Sequence, residues 1–198
     1  MRTVPAPGHD ERDTTLTRFR PAAEHMTTNT LLLLRHGKSD WQAGATDDFS
    51  RPLAKRGTHN SKRIGQWLAA QALRPDVVLA SPAARTLRTA TLVCKALDIP
   101  PGQIVQDDRI YLASQATLLG VLRELPAGAR MAMLVGHNPG LEELLAGLLG
   151  DAVPRPEDGK LMPTAALARL ELDADWQHLD AGRARLAELV RARHLEER

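Results

Sequence analysis

The 198-residue chain holds a single cysteine, Cys94. One thiol excludes an internal disulfide and a zinc site built on cysteine pairs. Cys94 shares helical spacing with Leu87, Ala90 and Leu97, which assigns it to a core rather than to chemistry. Aromatic residues make up only 3% of the chain. Aliphatic side chains and alanine must therefore fill the core, and stacking platforms for bases are lacking. Net charge is +2, and no Lys/Arg block is long enough to argue for nucleic acid. No apolar run approaches membrane-spanning length, and the N-terminal stretch has no apolar signal core. These absences lead to the expectation of a cytoplasmic protein with neither a nucleic-acid nor a membrane partner.

What is present suits one domain, or one domain with a tail. Hydrophobic content is 43%, enough for a sizeable core. Residues 1–29 hold Pro5, Pro7, Gly8 and Pro21, mixed charges and few large apolar groups. They predict a disordered or loosely attached arm, with 30–198 as the folded domain and Met26 as a second candidate start.

The chain is organised around Leu31-Leu32-Leu33-Leu34-Arg35-His36-Gly37. A continuous apolar run suits a central strand buried on both faces. This one stops at residues able to do chemistry, where open α/β sheets hold their ligands. A long polar loop follows to residue 56. Thr58 is the expected cap of a helix to about Gln71, with Ile64, Trp67 and Leu68 inward. Val77–Ala80 reads as a second strand, after which Ser81 caps a helix opened by Pro82. Arg88, further along that helix, reads as a solvated arginine. Ile104-Val105 is a short strand, and Ser114 caps a helix through Leu125. Met131–Val135 is another buried strand, ending at Gly136-His137. Asn138 is the expected cap of the next helix, which Pro139 opens and Gly150 ends. Residues 151–163 form a Pro-rich loop, and 165–172 a strand. Residues 181–193 have helical propensity, but a hairpin from Asp173 to Asp180 into a returning strand fits as well. Alternating strands and helices predict an α/β fold: a three-layer α/β/α sandwich with a mostly parallel central sheet.

Two histidines at the carboxyl ends of two buried strands form a candidate site. Arginines suit phosphate oxygens, because the guanidinium is a planar fork of donors. Arg35 adjoins His36, and Arg85 lies near the start of a helix whose N-terminal N–H groups favour an anion. Arg51 either reaches back to a bound phosphate or pairs with Asp47 or Asp48 on the surface. No Asp/His cluster with metal spacing is evident, so neither a metal nor another cofactor is expected.

Four ordered motifs carry a family resemblance. Arg35-His36-Gly37-Lys38-Ser39-Asp40-Trp41 resembles the signature of the histidine phosphatase superfamily (the phosphoglycerate mutase-like fold), in particular its SixA-like phosphohistidine phosphatases. Arg51-Pro52-Leu53 with Arg56-Gly57, Ser81-Pro82 with Arg85 and Thr89-Ala90, and Gly136-His137-Asn138-Pro139 are similar to its later segments. The match spans roughly residues 30–172. It implies that His36 attacks phosphorus and becomes phosphohistidine, which water hydrolyses. It also implies that Arg35, Arg51, Arg85 and His137 surround the phosphoryl oxygens, and it favours the site reading of Arg51. The nucleophile must be a neutral imidazole, and nearby guanidinium charge works in that direction.

The mutase branches supply a glutamate acid after the helix that carries Arg85. Here no glutamate stands between Arg85 and Ser114. Lys38 and Gln42 also depart from the mutase pattern. A phosphoramidate leaves as imidazole and does without a strong enzymic acid. The resemblance therefore implies dephosphorylation of protein phosphohistidine. Two alternatives stand beside it: a phosphatase of small phosphomonoesters with Asp107 or Asp108 as proton donor, and a non-enzymatic phospho-ligand binding module on the same fold.

Overall fold

The computed structural model describes residues 28–195. Its elements run β1 (Asn29–Arg35), α1 (Lys55–Ala70), β2 (Val77–Ala80), α2 (Ala84–Ala96), β3 (Ile104–Gln106), α3 (Gln115–Arg123), β4 (Met131–Gly136), α4 (Gly140–Leu149), β5 (Ala166–Leu172) and β6 (Ala184–Arg191). The six strands form one sheet in the order β3-β2-β4-β1-β5-β6. β1 lies parallel to β4, and β2 parallel to both β4 and β3. β5 and β6 add an antiparallel hairpin beside β1. The sheet is mixed but mostly parallel, as the strand–helix alternation predicts.

Period-two alternation explains the leucine run. Leu31 and Leu33 join the core under α3 and α4, with Leu118, Leu122, Leu144 and Leu148. Leu32 and Leu34 join the opposite core under α1 and α2, with Ile64, Leu68, Ala90 and Val93. All four leucines are fully buried. Each contributes about 1.5–3 kcal/mol relative to exposure, so this strand anchors both layers. Cys94 sits in the second core, where burial pushes its thiol up to about 11.

Several boundaries differ from the sequence expectation. β1 begins at Asn29, inside the expected arm, because Asn29 is buried and pairs with Leu172. Residues 1–27 of that expected arm, Met26 included, lie outside the described residues. α1 starts at Lys55, and Thr58 is not its cap; Thr58 N–H bonds the Ala54 carbonyl within the first turn. Ser81 does not cap α2, which begins at Ala84 behind Ala83. Its hydroxyl serves a histidine instead, as described below. Asn138 does not cap α4, because Pro139 stands in that place and the Asn138 amide donates to the Met162 carbonyl. Ser114 does cap α3, accepting from Thr117 N–H at 3.2 Å. The ambiguous C-terminal segment is the returning strand β6, paired antiparallel with β5 with one register shift between Arg169 and Leu170.

Two glycines fix the turn after His36. A Cβ on Gly37 would stand 2.7 Å from the Gly57 carbonyl, and one on Gly57 would stand 2.1 Å from the Lys38 carbonyl. The turn and the first part of α1 therefore meet backbone to backbone, which only glycine permits. No helix among the described residues is long and apolar enough to cross a membrane.

Candidate active site

β1 and β4 are parallel neighbours, with Arg35 opposite Gly136. The residues that follow them, His36 and His137, therefore emerge side by side. Their ring centroids lie 5.1 Å apart. Both residues are buried.

The tautomer of each ring follows from its partners. His36 Nδ1 lies 2.7 Å from the Gly37 carbonyl oxygen. A carbonyl only accepts, so Nδ1 carries the proton and the Nε2 lone pair is free. Burial is the main cause that lowers the His36 pKa, to about 4; the Gly37 carbonyl opposes it, and Arg85, Arg35 and Arg51 reinforce it. The ring is a neutral imidazole with an unprotonated Nε2 at pH 7. His137 has the opposite tautomer. Arg85 Nη2 donates to its Nδ1 at 3.3 Å. Its Nε2–H then faces Ser81 Oγ at 2.9 Å and Thr86 Oγ1 at 3.2 Å. Burial, then His36 and Arg85, push the His137 pKa down to about 3, against the pull of Asp48.

Arg85 is 2% exposed and sits in the first turn of α2. Its guanidinium also grips Asp48, bonding the backbone carbonyl through Nη1 and Oδ2 through Nη2 at 2.8 Å. Arg51 bonds Asp48 Oδ1 and lies flat against the Trp41 ring, 3.4 Å from its centroid. Of the two sequence readings of Arg51, the pairing with Asp48 is what the structure shows, and the Arg51 charge is felt at the His36 ring. Tyr111 completes the group, donating its hydroxyl to Asp48 Oδ2 at 3.0 Å and packing edge-on against His137. Burial raises the Asp48 carboxyl, but Tyr111 and Arg85 outweigh it and hold the pKa below the usual carboxylate range. Arg35 donates Nη1–H to the Met162 carbonyl at 2.7 Å. Its charge is felt at both histidine rings.

Arg51 and Arg85 share the Asp48 carboxylate, and Arg35 feels Glu142, so guanidinium groups outnumber carboxylates beside two neutral rings. The Nε of Arg35, Arg51 and Arg85 and the Nη1 of Arg51 are buried without a hydrogen-bond partner among the described residues. Buried donors are normally satisfied, so this cluster holds more cationic donors than the chain itself uses. Such an arrangement suits a compact anion with several acceptor oxygens.

The structure thus brings His36, Arg51, Arg85 and His137 together, with Arg35 at the edge of the group. Sequence reasoning missed the surrounding supports. Thr89 accepts from Gly37 N–H at 3.0 Å and donates to the Arg85 carbonyl at 2.7 Å, so the Thr of the Thr89-Ala90 pair ties the His36 turn to α2. Asp107 does not face the rings. It caps a 3₁₀ turn and is held by Arg109, whose hydrogen bonds lower its pKa. Asp48 is the carboxylate at the cluster, and the Arg51 motif three residues later was its one sequence signal. Among the described residues, no three His, Cys, Asp or Glu side chains group to hold a metal ion.

Comparison with known proteins identifies the family. The histidine phosphatase superfamily (branch 1) model matches residues 31–110. An uncharacterized protein of Mycobacterium tuberculosis is 31% identical over 157 residues, covering 77% of this chain and 96% of the relative. Among solved structures, a candidate phosphohistidine phosphatase SixA from Agrobacterium tumefaciens is 32% identical with a TM-score of 0.67, covering 82% of this chain and 97% of that one. A second candidate SixA, from Nakamurella multipartitia, is 28% identical with a TM-score of 0.69, covering 83% of this chain and 96% of that one.

Proposed function

The chain belongs to the histidine phosphatase superfamily, and from that premise we propose that it hydrolyses phosphohistidine on a protein through a covalent intermediate at His36. The family and its solved neighbours support a phosphatase. The observation that carries the finer reading is the pairing of a free, neutral His36 Nε2 with buried arginine donors that the chain leaves unsatisfied.

In the first step His36 Nε2 attacks phosphorus. The bond from phosphorus to the leaving group breaks, and the leaving group takes the electron pair. Arg35, Arg51 and Arg85 hold the equatorial oxygens as charge spreads over them. Fixed donors of this kind are commonly the largest catalytic contribution, about 10²–10³-fold for each one removed. His137 joins them as a donor once Nδ1 takes up a proton from solvent and Arg85 Nη2 turns from it to the phosphoryl group, a change that an adjacent phosphoryl dianion favours. In the second step water attacks the phosphohistidine, releasing phosphate and restoring the ring. The Gly37 carbonyl holds Nδ1–H throughout, so Nε2 is the atom that cycles.

The leaving group separates the substrate classes. An alkoxide needs a proton from an acid. The nearest carboxylate, Asp48, is kept ionised by Tyr111 and Arg85 despite its partial burial, and Arg109 does the same for Asp107. Neither holds a proton at neutral pH. A phosphohistidine ring leaves as neutral imidazole once its other ring nitrogen carries a proton, which a ring titrating near neutrality takes from water, and this favours phosphohistidine over small phosphomonoesters. The test is a substrate panel. A phosphohistidine peptide is expected to have kcat/KM at least tenfold above sugar phosphates, nucleotides and a phosphoserine peptide. Faster turnover of any phosphomonoester would overturn the substrate assignment, and phosphate binding without turnover on the whole panel would point to a binding module.

A further inference from the structure

A second cationic cavity adjoins the candidate active site. It encloses about 440 Å³ and is lined by Arg35, Lys38, Arg56, Lys160, Arg191 and Arg193. Arg35 and Lys38 flank His36 and Gly37 in the chain, and Arg35 belongs to both groups. The rest comes from α1, from the loop before β5 and from the end of β6. The whole chain has a net charge of only +2, so this concentration of cations is local. Clefts lined by one sign of charge attract ligands of the other.

One carboxylate already sits against the cluster. Asp158 accepts from Arg191 at 2.8 Å and from Arg193 at 2.9 Å, and both arginines lower its pKa to about 2. The side chains of Lys38, Arg56 and Lys160 make no ion pair among the described residues. The loop that carries Asp48 and Arg51 holds two exposed aromatics. Trp41 is 73% exposed and Phe49 is 41% exposed, in a chain with only six aromatic residues. Exposed aromatics beside a charged patch are the composition of a protein-docking surface; a small polyanion would use only the cations.

We infer that this cavity receives acidic side chains of the phosphorylated partner protein, so that the enzyme selects a phosphohistidine set in an acidic surface. The inference rests on the phosphoprotein reading above and adds the character of the partner. Recognition divides between two spaces that share Arg35: the arginines around His36 take the phosphoryl group, and Lys38, Arg56 and Lys160 take carboxylates beside it.

The test reads binding, so it is independent of turnover. Two fluorescent peptides carry phosphoryl-triazolylalanine, a stable phosphohistidine mimic, flanked by glutamates in one and glutamines in the other. Anisotropy titrations compare wild type with the Arg56→Gln/Lys160→Gln double variant. Both residues are exposed, and affinity for the glutamine peptide serves as the folding control. At low salt the glutamate peptide is expected to bind wild type roughly three- to tenfold tighter than the glutamine peptide, the range for two exposed ion pairs. In the double variant the two affinities should converge. Equal binding of both peptides to wild type, or a preference that survives in the variant, would overturn the inference. So would a loss confined to tripolyphosphate, which would make the cavity a small-anion pocket. Failure of wild type to hydrolyse any phosphohistidine substrate would instead remove the functional reading, leaving the binding comparison to stand alone.

Discussion

Arg85 is the residue whose removal should cost most after His36 itself. Its guanidinium makes three connections at once: the Asp48 carbonyl, Asp48 Oδ2 and His137 Nδ1. It is almost fully buried, so water cannot replace it. Arg85→Ala removes a charged donor aimed at the phosphoryl group and should lower kcat by about 10²–10³, equivalent to about 2.7–4 kcal/mol of barrier. Arg85 also lowers the pKa of both histidines. Its loss should therefore move the acid limb of the rate profile to higher pH, because His36 must be neutral to attack. Arg85→Lys restores the charge but not the fork. A single ammonium cannot serve Asp48 and His137 together, so kcat should lie between the alanine variant and wild type. The assay is steady-state hydrolysis of a phosphoramidate from pH 4.5 to 8, with circular dichroism to establish folding. A folded Arg85→Ala enzyme within threefold of wild type, or one with an unmoved acid limb, would refute the reasoning.

Three further outcomes follow from the same geometry. His36 has a folded-state pKa near 4 against 6.5 for a free imidazole; the unfolded chain therefore binds more protons between these values, and stability should fall as pH drops through that window, by about 3 kcal/mol for this residue. Denaturant unfolding at pH 7 and pH 4 reads the loss, which should shrink in His36→Ala. Gly57→Ala places a Cβ 2.1 Å from the Lys38 carbonyl and should destabilise by about 1–3 kcal/mol, despite the gain of about 1 kcal/mol in helix propensity; an unchanged or raised midpoint would contradict the backbone contact. Asp48→Asn keeps the size of the side chain but removes the charge that Arg51 and Arg85 share. It should weaken loop anchoring and raise affinity for inorganic phosphate, measured by competitive inhibition, whereas weaker phosphate binding would show that Asp48 does not offset the arginines.

The parts of the fold legible in the sequence were those that local chemistry decides. The four leucines of β1 and the apolar run of β4 could be nothing but buried strands, and the positive φ of Gly150 ends α4 where a glycine was expected. Capping signals were less reliable because tertiary partners compete for the same side chains. Ser81 looked like a helix cap, yet its hydroxyl faces His137; Asn138 looked like another, yet it reaches the Met162 carbonyl 24 residues away. β6 was ambiguous because its half-exposed pattern takes its meaning from pairing with β5. At the site, the histidines and arginines were legible as motif residues. Asp48 was legible only as one of two candidate partners of Arg51; its grip on Arg85 arises only when the fold sets it against an arginine 37 positions later. The Gly37 carbonyl that fixes the His36 tautomer is invisible to any reading of side chains.

The central claim is that His36 Nε2 forms a covalent bond to phosphorus. Rapid mixing of the enzyme with a phosphorus-labelled phosphoramidate, an alkaline quench to preserve the acid-labile phosphohistidine, and peptide mapping of the label test it directly. The account predicts label on His36 in wild type and none in His36→Ala, which should also lose turnover. Label on another residue, or a His36→Ala variant that retains most of its activity, would contradict it.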